Sequence, residues 1–250
     1  YTATITDTDV AASVLTDLNG NVPGLITATT VTNLTGTASA IATLMAAEAD
    51  TGNAINLDGN FTATVDSGSV AAADLTTISA KTSGTITATG ASTITGTASA
   101  VAAVVADSEI TVASDYAVTI TPAGAAAAGD LNNINGDTTG LVTATNVTNL
   151  TGTASAIATL MAAEGDTGNK VNLDTNFTAT VDAGSVAAVD LNTISAKTSG
   201  TITATAATTI TGSAADINTL IADTEVSIDN DYLVTISSGS HSAQHINTID

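Results

Sequence analysis

The fourteen residues TGTASAIATLMAAE begin at Thr35 and begin again, unchanged, at Thr151. Residues 25–100 and 141–216 align at this offset of 116 without a gap, and 62 of the 76 aligned positions are identical. A chain that spells one surface helix twice in this way is extending itself by repetition.

Inside the long period lies a shorter one. Gly36, Gly68, Gly96, Gly124, Gly152, Gly184 and Gly212 are separated by 32, 28, 28, 28, 32 and 28 residues. A step of 28 back from Gly36 reaches Thr8, and a step forward from Gly212 lands beside Gly239. Units of about 28 residues are therefore expected to start near these nine positions. Four extra residues fall in the units opened by Gly36 and Gly152. The whole chain, 1–250, reads as one continuous array, with super-repeats 25–140 and 141–250. It opens YTATITDTDV and stops at HINTID, part-way through a recurring phrase, as a window of something longer would.

Each unit has the same coarse grammar. After its glycine comes a stretch such as SVAAADLTTISA (69–80) or TASAIATLMAA (37–47). Its apolar residues fall at helical spacing: Leu75 with Ile78, Ile41 with Leu44 and Met45, Val101 with Val104 and Val105. Ser and Thr near the start suit N-capping, and the alanines favour helix. Such helices span two to three turns and need packing to hold them. Alternating Thr/Ile/Val/Ala segments follow, including TITAT (85–89), EITVA (109–113), YAVTIT (116–121) and FTATV (61–65), which carry the strand period of two.

The fold class expected is a repeat solenoid of one short helix plus about two short strands per unit, an α/β solenoid. An all-β solenoid is the alternative. Geometry bears on the strand layout: neighbouring helix axes want about 8–10 Å, whereas paired strands lie about 4.8 Å apart. Two strands per unit in one sheet would match one helix, while one strand in each of two walls would crowd the helices or force curvature. The sequence leaves both open. Phe61 and Phe177 are equivalents at 116, as are Tyr116 and Tyr232, and Met45 and Met161. The aromatics read as plugs of one recurrent gap and the methionines as core.

Composition narrows the function. Three lysines stand against 24 Asp and Glu, a formal net charge of −21, and there is no cysteine. Phosphate neutralisation needs a basic stripe, so nucleic acid is not an expected partner, and neither is an anionic membrane surface. Insertion of this segment in a membrane is not expected, since no apolar run nears the roughly 18 residues of a span. Without cysteine there is no disulfide, zinc thiolate or thiol nucleophile. His241 and His245, four apart, have metal-ligand spacing but read as a solvated helix face. No nucleophile elbow, GxGxxG or Walker loop occurs. No enzyme is expected.

Calcium is possible in the two long loops, EADTGNAINLDGN (48–60) and EGDTGNKVNLDTN (164–176). Asp50, Asn53, Asp58 and Asn60 recur there as Asp166, Asn169, Asp174 and Asn176, hard oxygen donors on tight turns. Ordinary Asx/Gly turn chemistry explains the same residues. A second acidic group, Asp223, Glu225, Asp229 and Asp231, with the partial counterpart Asp107, Glu109 and Asp115, reads as a solvated edge. Threonines of the TAT phrases at 27–29, 87–89, 143–145 and 203–205 suggest a flat hydroxyl-and-methyl face of the kind used to bind ice.

The phrases SVAAADLTTISAKTSGTITATGASTITGTASA (69–100) and SVAAVDLNTISAKTSGTITATAATTITGSAADINTLIA (185–222) resemble the repeats of giant cell-surface proteins of marine cyanobacteria, of the swimming-motility type, and similar Thr/Ala/Gly-rich bacterial repeat adhesins. The resemblance implies an extracellular, very long, non-catalytic polypeptide at or beyond the outer membrane, with no catalytic residue to carry over. The expectation is a structural segment of a surface filament, stalk or matrix fibre. Its partners would be other copies of itself or further repeats of the same chain. The alternative is an adhesin or ice-binding module that uses a threonine-rich lateral face.

Overall fold

A computed structural model describes residues 1–48, 55–164 and 171–237. The chain divides into two compact units, one of Tyr1–Thr119 with Asp137–Gly140 and one of Ile120–Gly136 with Leu141–Asp250. In the first part of the chain the elements are β1 (Ala3–Thr4), β2 (Asp9–Ala11), α1 (Ala12–Asn21), β3 (Ile26–Ala28), β4 (Asn33–Gly36), α2 (Ala38–Glu48), β5 (Ile55–Leu57), β6 (Thr62–Val65), β7 (Gly68–Ala71), α3 (Ala72–Ser79), β8 (Ile86–Ala88), β9 (Ala91–Gly96), α4 (Ala98–Ala106), β10 (Ile110–Val112) and β11 (Ala117–Ile120). Then come β12 (Gly124–Ala127), α5 (Ala128–Asp137), β13 (Val142–Ala144), β14 (Val147–Gly152), α6 (Ala154–Glu164), β15 (Val171–Leu173), β16 (Thr178–Val181), β17 (Gly184–Ala187), α7 (Ala188–Ser195), β18 (Ile202–Thr203), β19 (Ala207–Gly212), α8 (Ala214–Ile221), β20 (Val226–Ser227) and β21 (Leu233–Ile236). This is an α/β repeat architecture with parallel sheets, and the all-β alternative is not what the chain adopts.

Every described helix opens on an alanine, and each of those alanines is buried. From it the core face runs through positions three and six residues on, as in Ala72, Leu75 and Ile78 or Ala188, Leu191 and Ile194. Burying each Leu or Ile contributes about 1.5–3 kcal/mol, which supplies what an eight-residue helix lacks alone.

All seven glycines that mark the sequence period, from Gly36 to Gly212, have positive φ, between +127° and +159°. Their near-regular spacing conceals two roles. Gly36, Gly96, Gly152 and Gly212 end a strand two residues before a helix, whereas Gly68, Gly124 and Gly184 open a strand four residues before one. Helix starts therefore do not step by 28: in the first unit Ala12, Ala38, Ala72 and Ala98 lie 26, 34 and 26 residues apart. Capping follows the same alternation. After the first kind of glycine a Thr or Ser caps the helix, with Thr97 Oγ1 accepting from Ala100 N and Ser213 Oγ from Asp216 N, each at 3.1 Å. The second kind leads into Ala71 or Ala187, which offer no side-chain cap, and Asp74 and Asp190 stand in the first turn against the helix dipole.

The sheets settle the strand layout within each unit. In the first, β1–β3–β5 form one parallel ladder, β2–β4–β6–β8–β10 a second, and β7 pairs with β9. In the second, β12–β14–β16–β18–β20 and β17–β19–β21 are ladders and β13 pairs with β15. Each strand pairs with the one two places along the chain, so consecutive strands turn a corner into different sheets. One strand per wall per helix is the arrangement that crowds helices, since about 4.8 Å is too little for an interhelical spacing of about 8 Å or more.

A third strand eases that mismatch. The connection from α1 to α2 holds two strands, but that from α2 to α3 holds three, and β7 founds a new sheet. As a result β2 and β4 lead into α1 and α2, while β8 and β10 of the same sheet lead out of α3 and α4. Each helix pair is thus moved on by one wall before the crowding accumulates. The connection from α6 to α7 does the same in the second unit, where β17 begins the new sheet.

Candidate functional surfaces

The strongest recurring chemistry ties one repeat to the next. Phe61, Tyr116 and Phe177 are all buried, as expected of plugs, whereas Tyr232 is only half-buried. Over each sits a clasp that sequence reasoning missed. Thr82, Thr138 and Thr198 are the buried polar residues among those described. The Thr138 hydroxyl donates to the Tyr116 carbonyl oxygen at 2.5 Å and accepts from Gly140 N at 3.0 Å. Thr82 links Phe61 O to Gly84 N in the same way, and Thr198 links Phe177 O to Gly200 N. The glycine is required by close approach, because a Cβ on Gly140 would lie 2.2 Å from the Tyr116 oxygen.

The signal for this device is present in the sequence. The three tyrosines and two phenylalanines are its entire aromatic content, and all five begin the phrase aromatic-x-[Ala/Val]-Thr-[Ile/Val], at Tyr1, Phe61, Tyr116, Phe177 and Tyr232. T-x-G recurs behind three of them. In the first repeat Val22 and Gly24 take the clasp positions, and the Tyr1 carbonyl lies against Gly24.

The residue before the clasp threonine changes with the plug. Beside the phenylalanines it is lysine: Lys81 pairs with Glu48 at 3.3 Å and Lys197 with Glu164 at 3.2 Å. Beside Tyr116 it is Asp137, whose Oδ2 accepts the phenol hydrogen at 2.8 Å. Burial first, then this bond and the Asp137 charge, push the Tyr116 hydroxyl far above the ordinary phenol range. Asp190, partly buried on α7, is raised by desolvation.

The second surface is the outer face of the five-stranded ladders. In the first unit Ala11, Thr35, Thr64, Thr87 and Thr111 stand in register across β2, β4, β6, β8 and β10. In the second, Ala127, Thr151, Thr180, Thr203 and Ser227 do so across β12 to β20. Inward, Val10, Leu34, Ala63, Ile86 and Ile110 form the matching apolar row. The TAT phrases do not build this face together. Thr87 and Thr203 join the rows, but Thr27 pairs with Thr4 and Asn56, and Thr143 with Asn172. The last threonine of each phrase, Thr29, Thr89, Thr145 or Thr205, lies in a turn.

Part of the row's hydroxyl capacity is already engaged. Asn33 Oδ1 accepts from Thr62 at 3.0 Å and Thr64 at 3.2 Å, and Asn33 Nδ2 donates to Asp9 at 2.6 Å. Asn149 repeats this with Thr178 and Thr180.

Of the calcium candidates, Asp50, Asn53, Asp166 and Asn169 lie outside the described residues, as do His241 and His245. Asp58, Asn60, Asp174 and Asn176 are exposed on the turns leading into Phe61 and Phe177. In the other acidic group, Asp107 Oδ2 accepts from the Ser79 hydroxyl at 2.5 Å and Asp107 Oδ1 from Glu109 N at 2.9 Å; Glu225 N likewise donates to Asp223. Among the described residues no three His, Cys, Asp or Glu side chains converge as a metal site. Met45 and Met161 are core residues. Among the described residues no helix is long and apolar enough to cross a membrane. In comparisons with known proteins, no family, curated protein or solved structure matches the chain.

Proposed function

We propose that this chain is a non-catalytic structural segment of an extracellular bacterial surface filament, stalk or matrix fibre, built by stacking of solenoid units. The observation that carries the reading is the plug and clasp. An aromatic side chain and its carbonyl from one repeat are completed by the Thr-x-Gly of the next. A repeat is therefore unfinished until a neighbour arrives, and length is gained by adding neighbours. Neither cofactor nor catalytic group enters such a mechanism. The acidic surface keeps a long array soluble where salt screens its self-repulsion. Calcium in the loops around Asp58 and Asp174 would stiffen the long repeats. Electron microscopy of the native material, with and without a chelator, tests this. Fibres are expected; dispersed monomers at high concentration would sink the reading, and fibres indifferent to the chelator would remove calcium from it.

A lateral binding role is favoured by one feature, the registered threonine rows. Strand spacing of about 4.8 Å sets the threonines of each row at a regular interval along the ladder, while the row two residues away carries Asp9, Asn33 and Thr62. An adhesin or ice-binding face would use such a row. The internal Asn–Thr bonds leave fewer free donors for such a target, so the filament reading stands first. Thermal hysteresis with the purified chain separates the two, because a filament segment leaves ice growth unchanged.

A further inference from the structure

The repeat that follows α4 leaves open a space that the repeat following α2 fills. A pocket of about 250 Å³ is lined by Val104, Val105, Ile110, Val112 and Asp137. A second, of about 210 Å³, is lined by Leu220, Ile221, Val226 and Ile228, each 116 residues after its counterpart, and belongs to the last repeat before the described residues end at 237. Aligned on their plugs, clasps and helices, the first pocket's walls correspond to Leu44, Met45, Ile55, Leu57 and Lys81 in the long repeat. Three of the apolar residues are larger there, and Met45 is 1% and Leu57 7% exposed. Val105 and Val112, by contrast, are half-buried. The ammonium of Lys81 reaches Glu48 at the end of α2. In the short repeat the apolar walls are trimmed and the lysine is replaced by a carboxylate.

We propose that the pocket beside Asp137 binds a primary alkylammonium, a short aliphatic chain ending in a cation. It would supply from outside the stem and charge that Lys81 supplies in the long repeat. The trimmed valines offer an apolar wall for three or four methylene groups, and Asp137 stands exposed beside them. Its carboxylate has accepting capacity beyond the Tyr116 hydroxyl, since two oxygens carry about four lone-pair positions. No lysine of this chain competes for it among the described residues, where the ion pairs are Lys81–Glu48 and Lys197–Glu164.

The test is a methyl NMR titration of the whole chain with n-butylammonium, with n-butanol and potassium chloride as the neutral and ionic controls. Saturable shifts are expected at the methyls of Val104, Val105, Ile110 and Val112 with butylammonium. Asp137→Asn, which keeps an acceptor for Tyr116, should weaken butylammonium about fivefold and leave butanol unchanged. Val105→Met, which restores the long repeat's residue, should abolish binding of both. A parallel titration with Nα-acetyl-lysinamide identifies the source: binding equal to butylammonium assigns the site to a partner's lysine side chain, and binding of butylammonium alone assigns it to a free amine. Absence of saturation, equal affinity for butanol, or an unchanged affinity in Asp137→Asn would overturn the proposal. The filament reading rests on the clasp and is untouched by any of these results.

Discussion

Replacing Thr138 by valine tests whether the clasp holds repeats together. The residue is 1% exposed, so valine enters a space of nearly the same shape and leaves no cavity. What disappears is the hydroxyl that donates to Tyr116 O and accepts from Gly140 N. A lost hydrogen bond costs about 1 kcal/mol net, and leaving a buried partner unsatisfied about 1–3 kcal/mol, so a loss of about 2–4 kcal/mol is expected. Thr139→Val is the internal control. Its hydroxyl donates to Ser114 O at 3.1 Å on the exposed side, where water replaces the bond, and it should cost no more than about 0.5 kcal/mol. Urea unfolding followed by circular dichroism gives both values, and amide exchange at Tyr116 and Gly140 tells local opening from global loss. Thr138→Ser should recover most of the difference. If Thr138→Val and Thr139→Val fall within error of each other, the clasp contributes nothing and the reasoning from buried polar satisfaction fails.

Two further outcomes follow from the same geometry. Gly96→Ala should destabilise the first unit by at least about 1–2 kcal/mol by thermal melting, because φ is +156° and the new Cβ would press to 3.3 Å on Ala72 Cβ; Gly59→Ala, which meets nothing within 4 Å, should not. Tyr116 is protonated in the folded chain well beyond its unfolded value, so its contribution is complete below pH about 10 and declines as pH rises through the folded value. Stability above pH about 10 should therefore fall more steeply in the native chain than in Tyr116→Phe, and parallel curves would contradict the assigned burial.

Much of the fold could be read because repetition averages away local ambiguity. A helix such as 72–79 is too short to assign with assurance from one copy, but the same apolar spacing at Leu75, Leu131 and Leu191 makes it plain. Strands such as β6, β8 and β11 were equally legible from their alternating β-branched residues, but β7, β12 and β17, of sequence GSVA or GAAA, carry no such signal and read as part of the helix that follows. The clasp was not, because T-x-G looks like any turn until the carbonyl it receives is known, and that carbonyl lies 21 or 22 residues earlier. The threonine rows misled for a related reason. Identical TAT phrases belong to different walls, and the rows are built from unlike phrases: Thr35 of NLTG, Thr64 of FTATV, Thr87 of TITAT and Thr111 of EITVA.

The sequence alone determined the 116-residue repeat, the recurrence of the seven glycines and the helical or extended character of most segments, since these depend on local sterics and on apolar spacing along one chain; the stretch 69–80, which reads as helical, is instead strand up to Ala71 and helix only from Ala72. Only the tertiary structure decided that these recurring glycines play two alternating roles. It also decided that strands enter each wall singly, and that an added strand moves each helix pair onward. Those choices come from fitting helices about 8–10 Å wide onto strands about 4.8 Å apart. That mismatch exists only between neighbouring repeats, so no single repeat spells out its solution.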